Sequence, residues 1–368
     1  MQNTKSCWLQ YPNQWSAEAC MNQTFSGTVQ TEEHLETAQG HIYQGDNLPL
    51  LHLLLPQFRE QVDLIYIDPP FGTGQNFANL DQEVAYQDQL VDHEFLEFLR
   101  RRLFVMREWL SPRGSLYLHI DKKIGHYVKL ILDEVFGQQN FLNDISRIKC
   151  NPKNFSRKAY GNYSDMILFY AKNRDQHIWN KQREPHSEAD LKRLFPKTSA
   201  DGRPYTTHPL HAPGETLHGD TGQAWKGLLP PKGRHWRYSR EVLDQLEEAG
   251  LIEWSDTGNP RKIVFATDHP GKKIQDVWTF KDKGLSYVSY PTEKNHGLLE
   301  RIILQSSAPD SWVLDAFAGS GGTLKTAGQL GRRWIGMDQS PQSHAAIRKN
   351  LADAGLTSNW FRYVEKLP

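Results

Sequence analysis

The sequence is poor in cysteine. Cys7, Cys20 and Cys150 are scattered through 368 residues. Three thiols so far apart support neither a disulfide framework nor a cysteine zinc site. Net charge is missing too, because 43 Lys and Arg balance 43 Asp and Glu. A nucleic-acid partner must therefore declare itself through local runs. No stretch approaches the ~18 apolar residues of a membrane span. Residues 1–15 lack a basic segment followed by an apolar one. A soluble cytoplasmic protein with no membrane partner is expected. There is no internal repeat and no low-complexity tract. Aromatic residues are plentiful, with eleven Trp and sixteen Phe, ample for a core. The length suits one large domain or two moderate ones.

The most informative stretch is Asp68-Pro69-Pro70-Phe71, directly after the apolar run 62–67. The run reads as a buried strand. Its C-terminal end is where open parallel sheets bind ligands. Two prolines supply carbonyls without N–H groups, so the backbone there offers acceptors only. An exocyclic amine such as that of adenine is a poor nucleophile, its lone pair delocalised into the ring. Asp68 and the Pro69 carbonyl are suited to take one amine hydrogen each and draw the nitrogen toward sp³ geometry. Phe71 is suited to stack on a base swung out of its helix. The bland alternative is a strand end followed by a proline turn.

Around this stretch the chain reads as follows. Residues 1–37 are polar and suggest a loosely ordered arm or a cap. A strand at 41–43 leads to a leucine-rich helix at 48–55, ended by Pro56. Asp46 or Asn47 is placed to cap that helix, or to touch a cofactor. Helical spacing returns over 92–110, with 111–114 ending that helix. Strands follow at 115–120 and 165–170, with a helix at 127–135 between them. His119 faces inward on its strand and reads as a satisfied structural histidine. Residues 145–164 hold Arg147, Lys149, Lys153, Arg157 and Lys158 and no acid before the final strand, interleaved with Phe155, Tyr160 and Tyr163. That mixture suits phosphate contacts and base stacking. Residues 175–275 carry short motifs rich in Pro, Gly, His and Trp, with a second basic run that includes Arg234 and Arg237. His208, His211 and His218 lie among Pro and Gly without a rigid face, so no metal is expected.

Regularity resumes with Tyr290-Pro291-Thr292-Glu293-Lys294-Asn295 and a helix at 298–306. Asp315-Ala316-Phe317-Ala318-Gly319-Ser320-Gly321-Gly322-Thr323 then reads as strand, glycine turn and helix. Glycine lets backbone pass close to a ligand, and the helix start offers free N–H groups. The turn lacks both G-x-G-x-x-G spacing and the Gly-Lys-Ser/Thr of a triphosphate cradle. A strand at 334–337 ends at Asp338, an acid suited to a ribose diol. Ser340-Pro341 opens the last helix.

Together these motifs resemble the β-group of S-adenosylmethionine-dependent DNA amino-methyltransferases, in particular modification subunits of type III restriction systems and their solitary relatives. The resemblance covers about residues 38–175 and 270–356. It implies a class I, Rossmann-like α/β methyltransferase: a doubly wound, mostly parallel sheet with an inserted target-recognition region. The expected divisions are an arm or cap (1–37), a catalytic half (38–175), a recognition region (176–275) and a cofactor-binding half (276–368). Asp68, Pro69, Pro70 and Phe71 would be catalytic. Asp46, Asn47, Thr292, Lys294, Asp315, Phe317, Gly319, Ser320, Gly321, Thr323 and Asp338 would bind S-adenosylmethionine. Lys149, Lys153, Arg157, Lys158, Arg234 and Arg237 would meet double-stranded DNA. Asp before Pro-Pro points, within the family, to the N6 amine of adenine. The alternatives are a cytosine-N4 or RNA methyltransferase, or a non-catalytic recognition subunit. A second copy or a restriction subunit are the protein partners implied, in a bacterial or archaeal cytoplasm. The chain is shorter than typical type III modification subunits, which favours a stand-alone enzyme. Asn295 where the family has proline, Gly72 where it often has asparagine, and the additional Gly322 depart from the pattern.

Overall fold

The computed structural model describes residues 9–70, 93–151, 158, 160–282 and 294–366, with backbone course alone for 76–78 and 84–87. The chain forms two compact units, one built from Met1–Lys181 and Gln275–Pro368, the other from Gln182–Ile274.

The first unit is built on a ten-stranded sheet. In chain order its strands are β1 (Gly27–Glu33), β2 (Gly40–Gln44), β3 (Val62–Ile67), β4 (Leu110–Ile120), β5 (Phe141–Ile148), β6 (Ser164–Ala171), β7 (Val277–Thr279), β8 (Trp312–Asp315), β9 (Arg333–Asp338) and β10 (Ser358–Glu365). The spatial order is β1-β10-β2-β9-β8-β3-β4-β6-β5-β7. The run β10-β2-β9-β8-β3-β4 is parallel throughout, as is β5-β7, while β1-β10, β4-β6 and β6-β5 are antiparallel. The central strands read as continuous apolar runs because helices cover both faces. Helices α1 (Ala17–Met21), α2 (Asn47–Phe58), α3 (His93–Trp109) and α4 (Lys122–Phe136) precede the second unit, and α5 (His296–Ser306), α6 (Gly322–Gln329) and α7 (Pro341–Asp353) follow it. None of the described helices is long and apolar enough to cross a membrane.

Side-chain alternation along β3 sorts the core. Ile65 and Ile67 join Leu51, Phe58, Leu103 and Trp109 in one buried cluster beneath α2–α4. Trp109 stacks on Phe58 at 5.0 Å and donates its indole N–H to Leu51 O at 3.0 Å. Leu64, Tyr66 and Asp68 point the other way.

Local differences from the sequence expectations have simple causes. Pro56 lies inside α2, which runs on to Phe58. A proline this close to the end lacks one N–H donor and crowds one carbonyl a turn back, and the helix closes two residues later. Residues 111–114, expected as a loop, belong to β4. Buried Asp63 accepts from Ser111 Oγ and Ser311 Oγ, each at 2.6 Å, and binds the start of β3 to both neighbours. The polar N-terminal arm forms α1 and an edge strand. Arg100 holds it to the body, donating to Trp15 O at 2.9 Å and Glu134 Oε2 at 2.8 Å. An edge strand tolerates a polar sequence because one of its faces meets water.

The second unit has a four-stranded sheet over Lys197–Thr198, Pro204–Pro209, Pro260–Phe265 and Ile252–Trp254. Its small core joins Leu210, Trp225, Trp236 and Leu243, the last from the helix Arg240–Glu248.

Candidate active site

Neighbouring parallel strands β2, β9, β8 and β3 each end in a carboxylate: Asp46, Asp338, Asp315 and Asp68. Asp68 and Asp315 are far apart in sequence, but β3 and β8 pair directly, with Leu314 opposite Ile65. One cavity at this edge is lined by all four acids, by Pro69 and Pro70, and by the turn 316–320. Its remaining walls include Phe98 and Leu299, apolar surface beside a ring of acceptors.

Asp68 shows the most distinctive geometry. Its Oδ2 lies 2.6 Å from the Lys294 ammonium. Its Oδ1 is buried and has no hydrogen-bond partner among the described residues. A buried carboxylate oxygen without a donor is costly, and a donor entering the cavity would satisfy it. Lys294, expected to complete the cofactor pocket, lines the cavity and is seated on Asp68. Phe71 and Thr292 lie outside the described residues, as do Lys153 and Arg157.

Asp338 ties the glycine turn to the last helix. Its Oδ2 accepts from Gly319 N and its Oδ1 from Ser340 N, both at 2.9 Å. Desolvation raises its pKa, against those two donors. Each oxygen keeps a lone pair, and a ribose diol is a fitting donor for them. Gly319 and Gly321 adopt left-handed φ values of 51° and 79°. At Gly321 a Cβ would also come within 3.0 Å of Ile347 on α7. Glycine there answers to helix packing as much as to a ligand. Ser320 and Thr323 line the same wall and are buried. Phe317 sits in the wall with its ring 6.1 Å from that of Phe98.

Of the two residues placed to cap α2, Asp46 does so. Its carboxylate caps α2 by accepting from Leu48 N at 2.9 Å, and it lines the cavity. Asn47 is committed at both ends: Nδ2 donates to Ala316 O at 2.5 Å and Oδ1 accepts from Arg102 Nε at 2.5 Å. It joins α2 to the end of β8 and lines the cavity as well. Arg102, Phe98, Tyr66 and Leu299 are lining residues that sequence reasoning missed. Arg102 is buried, donates to Asp46 Oδ1 at 2.7 Å and lies 3.5 Å over the Phe98 ring. In sequence it sits within Arg100-Arg101-Arg102, which gives no sign that two of the three are buried.

Asp315 is buried, accepts from Phe317 N at 3.0 Å, and burial pushes its pKa up to about 7. The Thr323 hydroxyl and the Phe317 N–H oppose that rise. The fold thus favours the protonated form, and stability falls as pH climbs from the unfolded value near 4 through about 7. Asp315→Asn keeps an acceptor for Phe317 and removes the charge. Its melting temperature should exceed that of the wild type at pH 8 and lose the advantage at pH 4, within an upper bound of about 4 kcal/mol. Parallel melting curves at the two pH values check this.

Of the residues expected to meet DNA, Lys158, Arg234 and Arg237 are exposed. Lys149 is placed differently. Its ammonium lies 2.5 Å from buried Asp165, and Arg147 is fully buried beside the same acid at 3.5 Å. Positive charge counted along this stretch as solvated is partly internal, because a buried carboxylate needs partners.

A doubly wound, mostly parallel sheet with carboxylates and a glycine turn at one carboxyl edge is the fold of a class I methyltransferase. The DNA methylase model N6_N4_Mtase matches residues 62–349, and the chain belongs to that family of S-adenosylmethionine-dependent DNA methyltransferases. Type II methyltransferase M.EcaI of Enterobacter cloacae is 40% identical over 325 residues, 87% of this chain and 71% of that one. M.KpnI of Klebsiella pneumoniae is 26% identical, covering 80% and 78%. The StyLTI Mod subunit of the type III system of Salmonella typhimurium is 24% identical over 76% of this chain and 48% of its own, so the chain spans about half of that subunit.

Proposed function

We propose that this DNA methyltransferase modifies the N6 amine of adenine within a specific duplex sequence, after the base has swung out of the helix. The observation that carries the reading is the Oδ1 of Asp68, buried in the lining of the cavity and without a partner among the described residues. The turn 316–320 would hold S-adenosylmethionine, which would supply a methyl group activated by its sulfonium sulfur. Asp338 and Asp46 would hold its polar ends, and Phe98, Phe317 and Leu299 its apolar surface. Asp68 Oδ1 accepts one amine hydrogen and the Pro69 carbonyl the other, so that the nitrogen lone pair is directed at the methyl. Phe71 stacks on the flipped base. The described lining residues include no cysteine, in keeping with direct displacement and no covalent enzyme adduct. Positioning and preorganised acceptors then supply the rate. The choice of adenine over cytosine rests on the resemblance alone, since members of the family with Asp before Pro-Pro usually modify adenine.

Labelled S-adenosylmethionine offered to unmethylated DNA, followed by mass spectrometry of the nucleosides, tests the reading. The expected product is 6-methyladenine; 4-methylcytosine would overturn the base assignment.

The unit Gln182–Ile274 would read the target sequence, with Arg234 and Arg237 on phosphates and Lys158 contributing from the other unit. Replacing these three by alanine should lower the slope of log affinity against log salt by about 2–3. A fluorescence-anisotropy salt titration measures this, and an unchanged slope would return all three to ordinary solvated surface.

A further inference from the structure

Asp68 has two carboxylate oxygens, and nothing in an aspartate itself tells them apart. The torsion that turns them is broad and roughly two-fold. A place beside the cavity does not decide which oxygen meets a substrate. Here a neighbour makes the distinction. Oδ2 lies 2.6 Å from the Lys294 ammonium, and Oδ1 is buried without a partner among the described residues. Both side chains of the ion pair are largely buried. An ammonium only donates. It can fix the carboxylate, but it cannot itself accept an amine hydrogen.

What holds the ammonium there lies just beyond it in the chain. Lys294 immediately precedes Asn295, the N-cap of α5. Asn295 Oδ1 accepts from Gly297 N at 3.0 Å, and its Nδ2 donates to Lys281 O at 2.8 Å. One side chain therefore starts the helix and ties it to the chain leaving β7. That chain is itself pinned to β5. Arg147, fully buried, donates from Nε to Phe280 O at 2.9 Å and from Nη2 to Asp282. Asp282 N donates to Lys149 O at 2.8 Å. The start of α5 is thus fixed against the same sheet that carries Asp68 on β3. Asn295 stands where the family pattern has proline. Its φ of −60° is one that proline would also take. The amide adds what a proline ring lacks, an acceptor for the helix and a donor to Lys281.

We propose that Lys294 is a positioning residue for methyl transfer: its ammonium holds Asp68 Oδ2, so that Oδ1 is the oxygen left for the target amine, and Asn295 keeps Lys294 in place. This rests on the reading of Asp68 as the amine acceptor, for either base. Without the ammonium the carboxylate turns about its bond, and the acceptor must be oriented anew at each encounter. The loss falls on the reaction step and not on the binding of cofactor or DNA.

Single-turnover transfer at saturating S-adenosylmethionine and DNA tests this, with calorimetry for S-adenosylhomocysteine. Lys294→Met keeps the length of the side chain and removes the ammonium. Its rate should fall ~10- to 100-fold, the range that a small misplacement costs. The Kd for S-adenosylhomocysteine should stay within about threefold. Lys294→Arg retains a charged donor for Oδ2 and should be at least ~5-fold faster than the methionine variant. In an Asp68→Ala background there is no carboxylate to orient, and Lys294→Met should cost less than about threefold. Equal losses in the two backgrounds would show that Lys294 acts elsewhere and overturn the proposal. A wild-type rate in Lys294→Met would overturn it too, and with a weakened Kd would make Lys294 a cofactor ligand only. Should Lys294→Met fail to fold, as judged by its melting curve, Asn295→Ser decides. Serine caps a helix as well as asparagine but does not reach Lys281 O. With both charges of the pair intact, its rate should fall ~3- to 10-fold, and this loss too should vanish in the Asp68→Ala background. An unchanged rate, or an equal loss in both backgrounds, overturns the proposal. Asp68→Ala transferring at the wild-type rate would instead remove Asp68 itself from the chemistry, so the two failures give different results.

Discussion

Asp68→Ala is expected to lower methyl transfer by about 10³-fold or more. Cofactor and DNA affinity should stay within a few-fold. The carboxylate directly follows β3, with one oxygen on Lys294 and the other buried and without a partner among the described residues. Alanine removes the acceptor that would take an amine hydrogen, an interaction made at the reacting atom, so the loss falls on kcat. The same change leaves the Lys294 ammonium without this carboxylate in a site where its side chain is 16% exposed. Asp68→Asn separates the two effects. Asparagine keeps the size and one acceptor oxygen but brings an NH2 that repels the amine. If the acceptor role is right, Asp68→Asn should be nearly as inactive as alanine and should bind S-adenosylhomocysteine like the wild type. Single-turnover transfer and isothermal calorimetry measure the two halves. Transfer at the wild-type rate in either variant would remove Asp68 from the chemistry.

The second large effect is expected at Asp338. Asp338→Ala should weaken S-adenosylmethionine binding by ~100-fold, the worth of two to three ordinary hydrogen bonds. Its carboxylate receives Gly319 N and Ser340 N, and thereby holds the glycine turn against the start of α7. Removing it frees two N–H groups inside the cavity wall and deletes the acceptor suited to a ribose diol. Asp338→Asn distinguishes turn from ligand. An asparagine can satisfy only one of the two N–H groups through its oxygen, so an affinity between wild type and alanine is expected. Calorimetry with S-adenosylmethionine and with its demethylated product gives the values. An unchanged Kd in Asp338→Ala would move the ribose contact elsewhere on the wall.

Both predictions use residues that the sequence picks out, and the reason is local. Asp68-Pro69-Pro70 and Phe317-Ala318-Gly319-Ser320-Gly321 act through backbone geometry, which neighbouring residues set: prolines that lack N–H groups and glycines that reach left-handed φ. Strands β3, β8 and β9 are continuous apolar runs, and helices α2 and α7 begin at Asp46 and Ser340 caps, signals written within a few residues. The class of sheet, the order of motifs and the nature of the cofactor turn are therefore legible without coordinates.

Other features depend on which strands become neighbours, and spacing along the chain does not carry that. Pairing of β3 with β8 brings Asp68 beside Asp315, and Lys294 onto Asp68. Burial of Arg102 and Arg147 follows from the presence of Asp46 and Asp165 across a helix or sheet. In sequence the same arginines belong to basic runs that look solvated. Asn47 likewise reads as a cap or a cofactor contact, and only its bonds to Ala316 and Arg102 show it as a joint between elements. His119 reads as a satisfied core histidine, which it is; its bond to Tyr66 exists because β3 and β4 pair in register, Tyr66 opposite Tyr117. The sequence by itself determined the chemistry available at each strand end. The tertiary structure decided which charges meet, because a buried charge is settled by its partners in space and those lie tens to hundreds of residues away.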